Sequence, residues 1–572
     1  MKIIRYIFVA LAIYIVLGVV AGLALDGLVS GPELEVSSGS VIEMTIGADY
    51  GETTAPSLSN LLEGKSSLRH FSVLNTIRRA TEDARIEGLS LYITSPSLGF
   101  AQLQELSEAL EAFHAAGKWS QSFIETAGEG GSGTMTYLIA SMAQRVAVSP
   151  PGDVNFVPLA STQLFFKETL ESLNIDVTVY QRKEFKSAGE FLSRTDMSDS
   201  AKEALKALLD DIQSDIIGLV ARNRKVDPSE VRKWLETPVN GSAEALERGL
   251  IDERVYEDQV HNSVKSKLGP EGAVIALEDY AREAHRFDGE KKIALIIAEG
   301  EITRGEAAPS LSGEDSGVAS AQYQRAFRQA REDEVKAVLL RVNSPGGSYI
   351  GSDLIRREVE LTVDAGIPVI VSMGDLAASG GYFISFDASK VFANPGTLTG
   401  SIGVIMMDIS IRRALEERLK VGIDGYRTFE SAEIFDPLAK SGRRKAYLEA
   451  SIDRIYDDFI SKAAAGRDME VSEFEKLAKG RVWTGRAAKE RNLIDELGGY
   501  EAAIQETLAQ ANVGAEGASF YAYPRPETPL EEILISLQNV KMSVDTLSRI
   551  VRVLSAPNTS EVQVRMPHLN ID

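Results

Sequence analysis

The feature that most limits what this chain can fold into is that it repeats itself. "LSLYITSPSLGF" (Leu89 to Phe100) resembles "AVLLRVNSPGGSY" (Ala337 to Tyr349), with Ser95 and Ser344 separated by 249 positions. "TYLIASMAQRVAVSP" resembles "GYFISFDASKVFANP", with Tyr137 and Tyr382 separated by 245. "VYQRKEFKSAGE" resembles "GYRTFESAE", where Lys186 falls opposite Glu430 at a separation of 244. "ALERGLIDE" resembles "AKERNLIDE", with Asp252 and Asp495 separated by 243. Four blocks in one order at nearly constant spacing mark a duplicated domain. A length of 572 residues, beyond the reach of one ordinary core, agrees.

Each unit reads as α/β. Short apolar runs such as "KKIALIIAEG", "VKAVLLRVNSP" and "IPVIVSMG" suit buried parallel strands. Helical stretches such as "SAQYQRAFRQAREDE" and "GSDLIRREVELTVDAG" alternate with them, as β-α-β crossovers require. Long amphipathic helices are predicted over Ser198 to Arg224 and Arg443 to Arg467. The expected units are 38–285 and 291–510, joined by the polar "HRFDGEKK" and followed by a tail, 511–572, with its own amphipathic helix. "GEGGSG" (Gly128 to Gly133) matches a dinucleotide-binding pattern, with Asp153 20 residues past Gly133. The duplication instead sets it opposite "LAASGG", as a nonreactive copy of one turn.

The N-terminus, 1–28, reads as a membrane anchor. Lys2 and Arg5 precede "YIFVALAIYIVLGVVAGLAL" (Tyr6 to Leu25), which is uncharged until Asp26. Such a helix rises about 30 Å, enough to cross a bilayer. Basic residues before it and acidic ones after it predict a cytoplasmic N-terminus with the bulk of the chain outside. A cleaved signal peptide is the alternative, since small residues lie near Ala21 to Ala24. A formal charge of −22 argues against a nucleic-acid surface. There is no cysteine, which excludes thiolate chemistry and disulfides. Five scattered histidines (His70, His114, His261, His285, His568) form no metal-binding motif, so neither metal nor cofactor is expected.

The chemistry divides between the copies. "GDLAASGGYFISF" (Gly374 to Phe386) puts Ser379 between two alanines and two glycines, just after an apolar run. The plain reading is a helix-capping serine in a strand-to-helix turn. Opposite it, the first copy has Thr134, while the second copy has Glu430 opposite Lys186. A serine nucleophile needs a base, and the second half has no histidine between His285 and His568. A desolvated lysine can serve, because burial favours its neutral amine. Lys186 could otherwise pair on the surface with Glu184 or Glu190. An oxyanion hole needs two preorganised N–H donors. The "NSPGG" of Asn343 to Gly347, together with the N–H of Gly380, could supply them.

"RVNSPGGS", "GDLAASGGYFIS", "ANPGTLTGSIGV" and "FKSAGEF" resemble the signature blocks of the signal peptide peptidase A (SppA) family in its long duplicated form. The resemblance implies tandem ClpP/crotonase-like domains behind one N-terminal transmembrane helix. It also implies a serine protease with a Ser-Lys dyad that assembles as a homotetramer. Such enzymes degrade signal peptides and other unfolded hydrophobic peptides on the outer side of the inner (plasma) membrane. Carried over, Ser379 is the nucleophile and Lys186 the general base, with Ser401 orienting the lysine. Gly380 and Gly347, or Gly346, form the oxyanion hole. Two rival functions remain: crotonase-type thioester chemistry and a noncatalytic membrane scaffold.

Overall fold

The computed structural model describes residues 36–48, 50–52, 69–306, 317–436, 438, 442–524 and 563–565. The expected anchor and the amphipathic helix of the tail lie outside these residues. No helix among the described residues is long and apolar enough to cross a membrane.

In the first repeat, six strands lie in the order Glu253–Arg254, Arg145–Val148, Trp119–Ile124, Ile86–Ile93, Ser40–Ile46, Val274–Ala276. Every neighbouring pair is parallel. The central run "IEGLSLYI" is buried at seven of its eight positions, the pattern of a strand covered on both faces. The second repeat builds a larger sheet in which Ala337–Ser344 lies between Lys291–Glu299 and Val369–Ala378, again parallel. Ala518–Tyr523, from the stretch expected as tail, extends this sheet beside Lys291–Glu299. The two long helices span Asp199–Arg224 and Gly442–Gly466. The first starts where the Ser198 hydroxyl accepts the Ala201 N–H.

A third sheet joins the repeats. Asp176–Arg182 of the first pairs antiparallel with Val404–Ser410 of the second, with Arg182 opposite Val404. Lys186, four residues past that strand, is thereby delivered into the second repeat. A buried polar cluster also ties the halves together. Arg341, on Ala337–Ser344, donates to Glu105 of the first-repeat helix Phe100–Ala115 at 2.8 and 2.9 Å, and to Glu52 at 2.9 Å. Glu105 also accepts from His70 (2.6 Å), Asn394 (2.9 Å) and the Tyr500 N–H (2.8 Å). Removing one member of so buried a set costs about 3–5 kcal/mol. Asp375, four residues before Ser379, accepts the Ala101 N–H at 2.6 Å in the first turn of the same helix, where a carboxylate suits the dipole. The strand that carries the serine is thus fastened to the opposite repeat.

Candidate active site

The strand Val369–Ala378 ends at Ser379, and the helix Gly380–Phe383 begins directly after it. Ser379 adopts φ 59°, ψ −112°, a conformation a non-glycine residue holds only when its surroundings enforce it. The glycines after it explain how. A Cβ on Gly380 would lie 2.5 Å from Ser352 Oγ and 3.0 Å from Gly346 Cα, and one on Gly381 would lie 2.6 Å from the Ser344 carbonyl. The Ser379 N–H donates to Gly400 O at 2.7 Å. Its hydroxyl makes no capping bond to the helix. It faces Lys186 instead.

Lys186 Nζ lies 2.9 Å from Ser379 Oγ, 2.9 Å from Ser401 Oγ and 2.8 Å from the Ser401 carbonyl. Ser379 is 0 % exposed, and Lys186 and Ser401 are each 1 % exposed. The surface pairing open to Lys186 in sequence is therefore not what it does; Glu184 pairs with Lys479 instead. Among the described residues no carboxylate holds the proton on the amine, and burial pulls Lys186 down from the ordinary lysine value to about 7. Half-neutral near physiological pH, it can accept a hydroxyl proton. Ser401 also has a positive φ (53°), following Gly400 at 78°. That turn aims its hydroxyl and its carbonyl at the same nitrogen.

The candidate oxyanion donors converge beside the serine. The Gly380 N–H is the first of its helix and has no acceptor within it. A Cβ on Gly380 would fall 3.2 Å from Gly347 N, which measures how closely the two backbones approach. The Gly346 N–H is turned aside, donating to Ser344 Oγ at 3.1 Å, which in turn donates to Gly300 O at 2.6 Å. Beside the base lies a cavity of about 120 Å³ whose apolar walls include Met197, Ala201, Leu205, Leu208 and Val482.

The equivalent places in the first repeat are filled. The Thr134 hydroxyl donates to Val157 O at 2.8 Å. Asn155 Nδ2 donates to Gly131 O at 2.9 Å inside the "GEGGSG" turn. Glu430 is exposed and pairs with Arg443. Of the histidines, His70 engages Tyr50 and Glu105, His114 engages Ser120, and His261 engages Tyr92. Among the described residues no cluster of three metal-ligating side chains forms. Sequence reasoning missed the segment Lys479–Arg481, which lies against Lys186 and Ser401. Its only sequence signal was a glycine in "KGRVWTG" with no counterpart in the first repeat.

Such a site defines a class first: an α/β enzyme whose buried serine faces a lysine amine of lowered pKa, an arrangement able to carry out nucleophilic catalysis. The comparisons with known proteins then narrow it. The model of Peptidase family S49 matches residues 125–269 and 362–514, one segment in each repeat. "Protease 4" of Salmonella typhi is 31% identical over 466 residues, covering 79% of this chain and 73% of its own length. "Serine protease SPPA, chloroplastic" of Arabidopsis thaliana is 30% identical over 556 residues, covering 94% of this chain and 78% of its own. Among solved structures, a membrane-bound stomatin-specific protease in complex with a substrate peptide overlaps 44% of this chain and 99% of its own, at TM-score 0.26 and 15% identity. The chain is a serine peptidase and belongs to Peptidase family S49.

Proposed function

We propose that this peptidase works through a Ser379–Lys186 dyad shared between the repeats, and that its substrates are cleaved signal peptides and other unfolded hydrophobic segments. The observation that carries the reading is the buried Lys186 Nζ held within 2.9 Å of both Ser379 Oγ and Ser401 Oγ. Neutral Lys186 takes the Ser379 proton as Oγ attacks the peptide carbonyl. The developing oxyanion receives the N–H groups of Gly380 and Gly347, Gly346 being already committed to Ser344. The Lys186 ammonium then protonates the leaving amine, and a water activated by the same amine hydrolyses the acyl-enzyme. Ser401 holds the lysine in line throughout.

Two features support an extended, apolar substrate. The strand Gly346–Ser348 faces Val404–Ser410 across a gap that Gln563–Arg565 fills, antiparallel to both, so the groove accepts a chain in β conformation. The apolar side of the cavity beside Lys186, formed by Met197, Leu205, Leu208 and Val482, suits an aliphatic side chain, whose burial contributes about 1.5–3 kcal/mol. A native globular protein would first have to open, at about 5–15 kcal/mol. We further propose that residues 6–25 anchor the chain in the inner membrane, with the catalytic repeats outside, and that it works as a homotetramer. Two measurements test this: a side-by-side digest of one protein in folded and unfolded form, and protease-protection mapping in cells. Cleavage confined to the unfolded form and a catalytic portion outside the cytoplasm are expected. Equal cleavage of both forms, or cytoplasmic repeats, would overturn it.

A further inference from the structure

Three pieces of backbone meet at the base: Arg182–Lys186 of the first repeat, and Ser401–Gly403 and Lys479–Arg481 of the second. Their main chains bond directly. The Phe185 N–H donates to Lys479 O at 3.1 Å, the Gly480 N–H to Ile402 O at 2.8 Å, and the Ser401 N–H to Arg481 O at 2.7 Å. Two glycines make this fit. A Cβ on Gly480 would lie 2.5 Å from Lys186 N, 2.6 Å from Lys186 Cβ and 2.8 Å from Lys186 Cα. A Cβ on Gly403 would lie 2.6 Å from Arg182 O and 2.9 Å from Gly480 Cα. Gly480 also sits at φ +81°, which glycine adopts freely. The corresponding stretch of the first repeat, Leu235 to Val239, contains no glycine.

We infer that Gly480 is a positioning residue of the reaction: its bare backbone is the seat against which Lys186 is pressed, fixing both the reach of the amine to Ser379 and its exclusion from water. Arg481 reinforces the seat by laying its guanidinium 4.8 Å from the Phe185 ring centroid. The inference rests on Lys186 being the base. A methyl group at 480 must displace the Lys186 backbone, because the contacted atoms are main chain and Cβ rather than a flexible tip. The displaced amine loses its alignment with Ser379 and gains water, so its pKa returns toward that of ordinary lysine.

The test compares Gly480→Ala with Gly366→Ala in the full chain. Gly366 has nearly the same φ (+80°) but open space around its missing Cβ, so it carries the backbone strain without the contact. Rates are normalised to folded protein, quantified from the amplitude of each variant's thermal transition, which removes unfolded protein from the comparison. For Gly480→Ala, kcat should fall at least tenfold with KM within twofold, and the midpoint of the kcat/KM pH profile should move up by a unit or more. Gly366→Ala should leave both unchanged. If Gly480→Ala does not fold, Arg481→Ala decides the matter, with a fall in kcat of about threefold and the same direction of midpoint shift expected. Wild-type kcat and midpoint in the folded Gly480→Ala variant, or equal effects of Gly480→Ala and Gly366→Ala, would overturn the seat. So would an unmoved midpoint in Arg481→Ala. Turnover surviving in Lys186→Ala would instead overturn the dyad itself, so the two failures are distinguishable.

Discussion

The two repeats share a set of matching hydrogen bonds and differ at the positions of the proposed dyad. Tyr137 donates to Leu250 O at 2.9 Å, and its counterpart Tyr382 donates to Leu493 O at 2.9 Å. The Val146 N–H reaches Asp252 Oδ2 at 2.7 Å, and the Val391 N–H reaches Asp495 Oδ2 at 2.7 Å. Arg224 pairs with Asp252 at 2.8 Å, as Arg467 does with Asp495. Against that common frame, the first repeat has Thr134 bonded to its own backbone where the second has Ser379. At the 245 offset, it has the buried Phe156 where the second has Ser401. The second repeat has the solvated Glu430 where the first has Lys186. On the proposed mechanism, each copy keeps the scaffold and carries half of the Ser379–Lys186 pair. The cost is an obligatory interface, made by the Asp176–Arg182 strand and the Arg341–Glu105 cluster.

The largest effect expected from breaking this asymmetry is at the nucleophile. Ser379→Ala should lower peptide hydrolysis by at least about a thousandfold while leaving the thermal transition in place. A variant with residual turnover within tenfold of wild type would move the chemistry elsewhere. Ser401→Ala comes next. Losing one hydrogen bond that aligns the amine is worth about 0.5–1.5 kcal/mol, so kcat should fall about two- to tenfold with KM little changed. A change confined to KM would remove Ser401 from the dyad's support.

A separate effect lies in stability rather than rate. Lys186 has a pKa of about 7 in the folded chain against 10.5 ordinarily. Below about 7 the folded state bears the full penalty of burying the amine. As pH rises toward the ordinary value the unfolded chain loses its proton as well, and the penalty disappears. The folded state is therefore destabilised by up to about 5 kcal/mol at neutral pH and below, and stability recovers as pH rises. Lys186→Met, which has no such titration, should be more stable than wild type near pH 7, with a gap that narrows toward pH 10 in denaturant melts. A gap independent of pH would mean that the amine is not buried neutral. The smallest effect is at the first copy's counterpart of the base: Glu430→Ala should change stability by less than about 0.5 kcal/mol and leave kcat/KM untouched. A large loss there would give the second copy a base of its own.

Much of this was legible in the sequence because it is written in local blocks. The serine between small residues, the lysine in "FKSAGEF" and the four repeated segments each announce themselves within a dozen residues. The two long helices follow from their periodicity. What escaped reading depends on partners far apart in the chain. Arg341 meets Glu105 across 236 positions, and Arg182 meets Asp453 across 271. Neither pair has a periodic signature. Gly480 carries no local signal that its missing Cβ is the room Lys186 occupies. The strand Ala518–Tyr523 followed what looked like the end of the repeat, and only its register against Lys291–Ile296 shows that it belongs to the sheet.

The central claim, that one repeat activates the nucleophile of the other, is tested most directly by the rate at which Ser379 is acylated as a function of pH. Single-turnover acylation should be followed with wild type and Lys186→Ala, using the same peptide ester. The account predicts that the wild-type rate climbs through a single midpoint near 7, set by loss of the Lys186 proton. Lys186→Ala should be at least about a thousandfold slower and show no such midpoint. Comparable acylation by Lys186→Ala at neutral pH, or loss of the midpoint on His285→Gln or His568→Gln instead, would contradict it.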